Sequence, residues 1–219
     1  MVATIAQIET DTAWQIVVDA IRLLAMTRTN DAMSSDRVQD ADAKLVASCL
    51  NGNDDSFGTI VDAYQSTIAV QMKRFSRDKT VQEELVHDVF VEAYMSLSSY
   101  RANSPLIHWL RKIAVRVGYR YWKRQSRKTE QTVQLSLIEN GVDRIPSGVA
   151  LTPNDASDLL GGLLGVLSAR NRLVLTLLYW DGCSVAEAAE LTGWSQTMIK
   201  VQAHRARQRL KKLIEESRK

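Results

Sequence analysis

Ser184-Val185-Ala186-Glu187-Ala188-Ala189-Glu190-Leu191-Thr192-Gly193-Trp194-Ser195-Gln196-Thr197-Met198-Ile199-Lys200-Val201-Gln202-Ala203-His204-Arg205-Ala206-Arg207 decides how the chain is read. Ser184, with Glu187 three residues on, forms a capping box that opens a short helix over Val185 to Leu191. Thr192-Gly193 turns the chain, and Ser195 caps a long basic final helix. A short helix, a glycine-bearing turn and a longer basic helix is the helix-turn-helix arrangement, whose second helix enters the major groove by its N-terminal end. Ser195, Gln196, Thr197 and Gln202 are of the types that read base edges, and Lys200, Arg205 and Arg207 of the types that hold phosphates. The bland competitor is an ordinary helical hairpin. The capped start, the central glycine and the basic end together favour DNA.

Just upstream, Leu159, Leu160, Leu163, Leu164 and Leu167 form one apolar helix, and Ser168 caps another carrying Leu173, Val174, Leu177 and Leu178. Residues 155–219 thus make a small helical domain. Residues 129–154 hold Glu130, Glu139 and Asp143 against Arg144 alone, with Gly141, Pro146, Gly148 and Pro153, and read as a flexible acidic linker.

Residues 41–128 form a second helical domain. Asp40-Ala41-Asp42 offers an N-cap for a helix with Leu45, Val46, Cys49 and Leu50 on one stripe, closed by Asn51-Gly52. A helix opening at Asp54-Asp55-Ser56 has Phe57, Ile60, Val61, Tyr64, Ile68, Met72 and Phe75 at three- and four-residue steps. Thr80 and Glu83 fit a capping box for a third helix with Leu85, Val86, Val89, Phe90, Ala93, Tyr94 and Leu97 inward. After a polar loop, Ser98 to Asn103, Ser104-Pro105 begins a fourth helix with Leu110, Ile113, Val117 and Tyr121 on one side. Residues 1–40 form a partly flexible extension with one short apolar stretch, Trp14 to Leu24. Met33 is an alternative start.

Charge points the same way. The net charge is only +3, yet from Pro105 to Lys128 every charged residue is basic: Arg111, Lys112, Arg116, Arg120, Lys123, Arg124, Arg127 and Lys128. The tail from Ile199 is basic apart from Glu215 and Glu216. A merely solvated face normally mixes signs, so two such segments imply two contacts with a polyanion. The scarcity of turn residues, with 10 Gly and 3 Pro, argues against a β-sandwich or barrel and for an all-α chain of two helical domains.

Other classes fit poorly. Cys49 and Cys183 form no C-x-x-C pair. Glu84 and His87 make a Glu-x-x-His step, but a di-metal site needs a second copy, and neither His108 nor His204 has a Glu three residues before it. No Walker loop, dinucleotide fingerprint or nucleophile elbow is present, so no catalytic residue, metal or cofactor is expected. No apolar run reaches about 18 residues and no secretion signal is visible, so a cytoplasmic location and no membrane partner are expected.

With both domains in view, the chain resembles the sigma-70 family, specifically its extracytoplasmic-function group. Gln82 to Tyr94 (QEELVHDVFVEAY) resembles the family's polymerase-binding helix, Ser104 to Ala114 (SPLIHWLRKIA) the start of its promoter-melting helix, and Ser195 to Lys200 with Ala203 to Arg207 its recognition helix for the upstream element. The resemblance implies a sigma factor that binds core RNA polymerase, recognises minus-ten and minus-thirty-five elements and helps open DNA. It implies that Tyr100, Arg101, Asn103 and Ser104 lie in a loop that accepts an extruded base. Trp109, Tyr119 and Trp122 interleave with Arg116, Arg120, Lys123 and Arg124 as aromatic surface beside a phosphate track. The resemblance further implies polymerase contacts through Glu84, Asp88 and Glu92, and through Leu173, Leu177 and Tyr179, which core packing explains equally well. An anti-sigma factor is the regulatory partner common in the group. The chain departs from the family's pattern at Arg116 and Arg120, where an Asn and an Asp are usual, and at Gln202, where Arg is frequent; the promoter sequence stays open. The rival is a stand-alone helix-turn-helix regulator with residues 41–128 as a sensor or dimer module, but a sensor needs no second basic helix.

Overall fold

The computed structural model describes residues 35–129, 164–165 and 167–216. Every regular element among them is helical, and they divide into two compact units, the first closing at Trp122. The Trp14 to Leu24 stretch, the acidic linker and Leu159 to Leu163 lie outside the described residues.

In the first unit α1 spans Ser35–Leu50, α2 Asp55–Met72 and α3 Lys79–Met95, with a 3₁₀ turn over Leu97–Ser99; α4, Leu106–Thr129, begins in this unit and runs past its boundary at Trp122. α1 packs on α2, and α2 on α3. The expected start of α1 at Asp40 to Asp42 moves back to Ser35. Asp42 is not a cap but a buried residue of the helix, on the stripe of Val46 and Cys49, where the Tyr64 hydroxyl donates to its carboxylate at 2.7 Å. Gly52, at φ +93°, closes the helix in a conformation that side chains resist.

α3 also starts differently from the expectation. The Thr80–Glu83 box is not formed. Asp78 is the cap, accepting from the backbone N–H of Thr80 at 2.9 Å and of Val81 at 3.4 Å. Asp is among the strongest capping residues, and once it caps, Thr80 falls inside the first turn. Tyr94, expected inward, is 46% exposed; its ring meets Phe57 edge-on at 5.0 Å and its hydroxyl donates to Asp54 at 2.8 Å.

α4 is one helix of 24 residues, about 36 Å long. Its apolar side, Leu106, Leu110, Ile113, Ala114 and Val117, is buried with Ile60, Ile68 and Met72 of α2 and Leu85 and Val89 of α3 in the core of this unit. The Phe75 ring sits over Gly118 and beside Trp122, 4.5 Å away. The Trp122 indole N–H donates to the Phe75 carbonyl at 2.8 Å.

In the second unit α5 spans Ala169–Leu175, continues into a π-helical turn over Thr176–Trp180, and is followed by α6, Val185–Thr192, and α7, Gln196–Glu216. α7 packs against both α5 and α6. The Ser184–Glu187 capping box forms in both directions, at 3.2 and 2.7 Å. Gly193 ends α6 at φ +73°, and the Ser195 hydroxyl accepts from the Met198 N–H at 3.2 Å at the start of α7. Ile199, Ala203, Ala206 and Leu210 form the buried stripe of α7, closing on Leu173, Val174 and Ala188.

Candidate nucleic-acid and polymerase interfaces

The helix-turn-helix geometry follows from these caps. With α6 ended by a left-handed glycine and α7 begun by Ser195, the first turn of α7 stands clear: Gln196, Thr197 and Lys200 are exposed, as is Arg205 further on. Two expected contacts stand differently. Gln202, expected among the base contacts, is 9% exposed and lies beside Ala203 and Ala206 at the edge of the buried stripe. Arg207 is half-buried and donates to the Tyr179 hydroxyl at 2.5 Å, which ties α7 to the π-helical turn.

In the first unit the loop between the 3₁₀ turn and α4 presents Arg101 and Asn103 to solvent. Tyr100, expected to face an extruded base, is 9% exposed. Its hydroxyl donates to the Ser104 carbonyl at 2.8 Å and its ring lies 5.7 Å from Trp109, so it braces the loop from within. Burial pushes the Tyr100 hydroxyl pKa up, which keeps it a neutral donor. Trp109 is half-buried on the same node. Trp122, expected either beside DNA or in the core, is 2% exposed and packs against Phe75.

Arg116, Arg120, Lys123 and Arg124, expected along a phosphate track, are all exposed on α4. Two of them are engaged within the unit. Glu92 of α3 pairs with Arg116 at 3.5 Å and with Arg120 in a short hydrogen bond. A carboxylate expected to face polymerase therefore lies against two cations expected to face DNA.

Glu84 and Asp88 are exposed, and the 4-3-4 spacing puts them on one face of α3 with Val91, 47% exposed, and Met95, 79% exposed. Beside that face runs a groove of about 900 Å³ between α2 and α3, lined by Phe57, Val61, Val86, Phe90, Val91 and Tyr94 among others, with Lys73, Lys79, Glu83 and His87 also on its lining. The sequence pattern did not single this groove out. The signal was present: α3 is apolar on more faces than one buried stripe requires. Leu173 and Leu177, expected either as polymerase contacts or as core, are each 1% exposed and pack in the core of the second unit.

Among the described residues no group of three or more His, Cys, Asp or Glu is placed to hold a metal ion, and no helix is long and apolar enough to cross a membrane.

Comparison with known proteins agrees with this layout. The sequence model of sigma-70 region 2 matches residues 60–128, and that of sigma-70 region 4 matches residues 157–210. Between them they span more than half of the chain. The chain is 28% identical over 166 residues to the RNA polymerase sigma factor YlaC of Bacillus subtilis, covering 75% of this chain and 95% of that one. It is 27% identical over 183 residues to the sigma factor CnrH of Cupriavidus metallidurans, covering 81% and 96%. It is 27% identical over 177 residues to the ECF RNA polymerase sigma-E factor of Escherichia coli, covering 76% and 91%. Among solved structures, CnrH in complex with the cytosolic domain of CnrY aligns with a TM-score of 0.49 at 24% identity, covering 80% of this chain and 98% of that one. A match to region 2 does not favour a sensor module in the first domain. The chain belongs to the sigma-70 family of RNA polymerase sigma factors, in its extracytoplasmic-function group, and is a promoter-recognising transcription initiation factor.

Proposed function

We propose that this factor divides its work between its two units as follows. Residues 41–128, extended back to the start of α1, take the minus-ten element and core polymerase. Residues 155–219 take the minus-thirty-five element, and residues 129–154 link them. The upstream element is read by Ser195, Gln196 and Thr197, with Lys200 and Arg205 on phosphates. The downstream strand follows Arg116, Arg120, Lys123 and Arg124, and an unpaired base enters at Arg101, Asn103 and Ser104. The clamp of polymerase seats on the α3 face of Glu84 and Asp88 with Val91 and Met95. Opening involves no bond chemistry: each base-pair step costs roughly 1.4 kcal/mol of stacking, and capture of an unpaired base returns roughly 1–3 kcal/mol. The terms are close enough that a few captured bases decide the balance. No catalytic group is needed, and the setting is cytoplasmic. Membership of the extracytoplasmic-function group extends the proposal to an anti-sigma protein as regulator.

The single observation that carries this reading is a pair of exposed basic helices, α4 and α7, each with exposed polar residues at its start: Arg101 and Asn103 in the loop before α4, Gln196 and Thr197 in the first turn of α7. Run-off transcription with purified core polymerase and a promoter library tests it. Start sites that appear only when the protein is added, and that share two spaced unlike elements, are expected. Protection of a palindrome by the protein alone, with no new start sites, would overturn it.

A further inference from the structure

The loop ahead of α4 is short, exposed and conformationally demanding. Ala102 stands at φ +53°, the one non-glycine residue with positive φ among those described. An L side chain resists that region, so the loop's own preferences do not hold it there. The hold comes from α1. The Gln39 side-chain amide donates to the Ala102 carbonyl at 2.8 Å, across 63 residues of sequence. One turn along α1, the buried Asp42 carboxylate accepts from the Tyr64 hydroxyl at 2.7 Å, and the backbone N–H of Leu106, the first residue of α4, adds a stabilising influence on its charged form. Tyr100 bridges the loop internally through the Ser104 carbonyl. The middle and the far end of the loop are thus tied to one helix, and Arg101 and Asn103, on either side of Ala102, are left exposed.

We propose that Gln39 is a positioning residue for base capture: by holding the Ala102 carbonyl it keeps the loop in the conformation that presents Arg101 and Asn103 to the extruded base of the downstream element. This rests on the reading of that loop as the capture site. Gln39 touches no DNA itself. Its contribution lies in arriving at the capture geometry before the base does, so that binding does not have to order the loop.

The test uses holoenzyme reconstituted from core polymerase and the full chain, with a promoter library carrying all four bases at each downstream position. Gln39→Met keeps the length of the side chain and removes the donor. It should reduce the base preference at one downstream position by about two- to tenfold, the worth of one net hydrogen bond. Preference at the upstream element and core affinity should stay at wild-type values, and the unfolding temperature should fall by no more than the few degrees that one lost hydrogen bond accounts for. Arg101→Ala and Asn103→Ala serve as references and should flatten the same position. If they flatten it and Gln39→Met does not, Gln39 is not a positioning residue. If none of the three changes any position, the capture reading of the loop falls and the proposal with it. A Gln39→Met effect spread evenly over all positions, upstream and downstream alike, would show a purely structural role and overturn the proposal. Should Gln39→Met not yield folded protein, Gln39→Ala carries the same expectations.

Discussion

Gly118→Ala adds one methyl group where the structure has no room for it. A Cβ built at Gly118 lies 2.3 Å from Cε1 and Cζ of Phe75 and 2.4 Å from its Cδ1. Carbon atoms rest about 3.5–4.0 Å apart, so the ring or the helix must retreat by more than about 1 Å. The ring has little freedom to do so. Phe75 is 2% exposed, Trp122 lies 4.5 Å away, and the Trp122 indole is itself bonded to the Phe75 carbonyl. Overpacking of this kind costs roughly 1–3 kcal/mol, and the fixed ring places it toward the upper end. Replacing glycine inside a helix returns about 1 kcal/mol of propensity, for a net loss of roughly 1–2 kcal/mol. For a unit of this size that lowers the unfolding midpoint by about 5–15 °C. Scanning calorimetry of the two proteins measures it. The double variant Phe75→Leu with Gly118→Ala should be more stable than the two single losses predict, because the smaller side chain vacates the space the methyl needs. A Gly118→Ala midpoint at or above wild type would refute the packing argument, since propensity would then be the only term acting.

Glu92→Gln should release Arg116 and Arg120 and tighten binding of a single-stranded downstream element. With surface pairs worth roughly 0.2–1 kcal/mol, the gain is about two- to fivefold at low salt by fluorescence anisotropy, and an unchanged affinity would remove both arginines from the track. Lys200→Ala should weaken duplex binding at the upstream element and lower the salt slope by about one, and an unchanged slope would take Lys200 off the phosphate list. Ser184→Ala should cost roughly 1 kcal/mol of stability through loss of the helix cap, measured by urea unfolding. The same box has a pH signature. The Ser184 side chain and backbone N–H hold the Glu187 carboxyl below its ordinary value of 4.5. Its small stabilisation is therefore present above that value and lost as pH falls through the lowered one, a decline that Glu187→Gln should abolish.

Much of this architecture was legible in residue spacing. The stripe of Ile60, Ile68, Met72 and Phe75, the Ser184–Glu187 box and the Gly193 turn are local features, and local physics sets them. The errors came where two local solutions competed or where a neighbour in space mattered more than a neighbour in sequence. Asp78 and Thr80 both offer a cap to the same helix, and the stronger one lies two residues earlier. Trp122 is surrounded in sequence by Arg120, Lys123 and Arg124, yet on a helix its spatial neighbours are three and four residues away, and Gly118 places it against Phe75. Gln202 has the chemistry of a base reader but adjoins Ala203 and Ala206 on the buried side of α7. Leu173 and Leu177 fit the core and the interface alike by spacing, and their burial is a matter of packing between helices that spacing alone does not show. The anchoring of Ala102 by Gln39 and the pairing of Glu92 with two arginines join different elements, so no periodicity along a single helix announces them.

The Glu92 pairing also changes what the basic helix is as an electrolyte. Two guanidinium groups that already hold a tethered carboxylate do not meet DNA as bare cations. When phosphates take those two positions, one anion replaces another, and the displaced carboxylate gathers small cations from solution while the DNA sheds its own. The ion count at these positions is partly self-cancelling. Binding along α4 should therefore vary less steeply with salt than its number of arginines and lysines implies. α7, whose Lys200 and Arg205 stand exposed, should behave closer to an ordinary polycation. A rise in salt would loosen the upstream contact first and leave the downstream one comparatively firm.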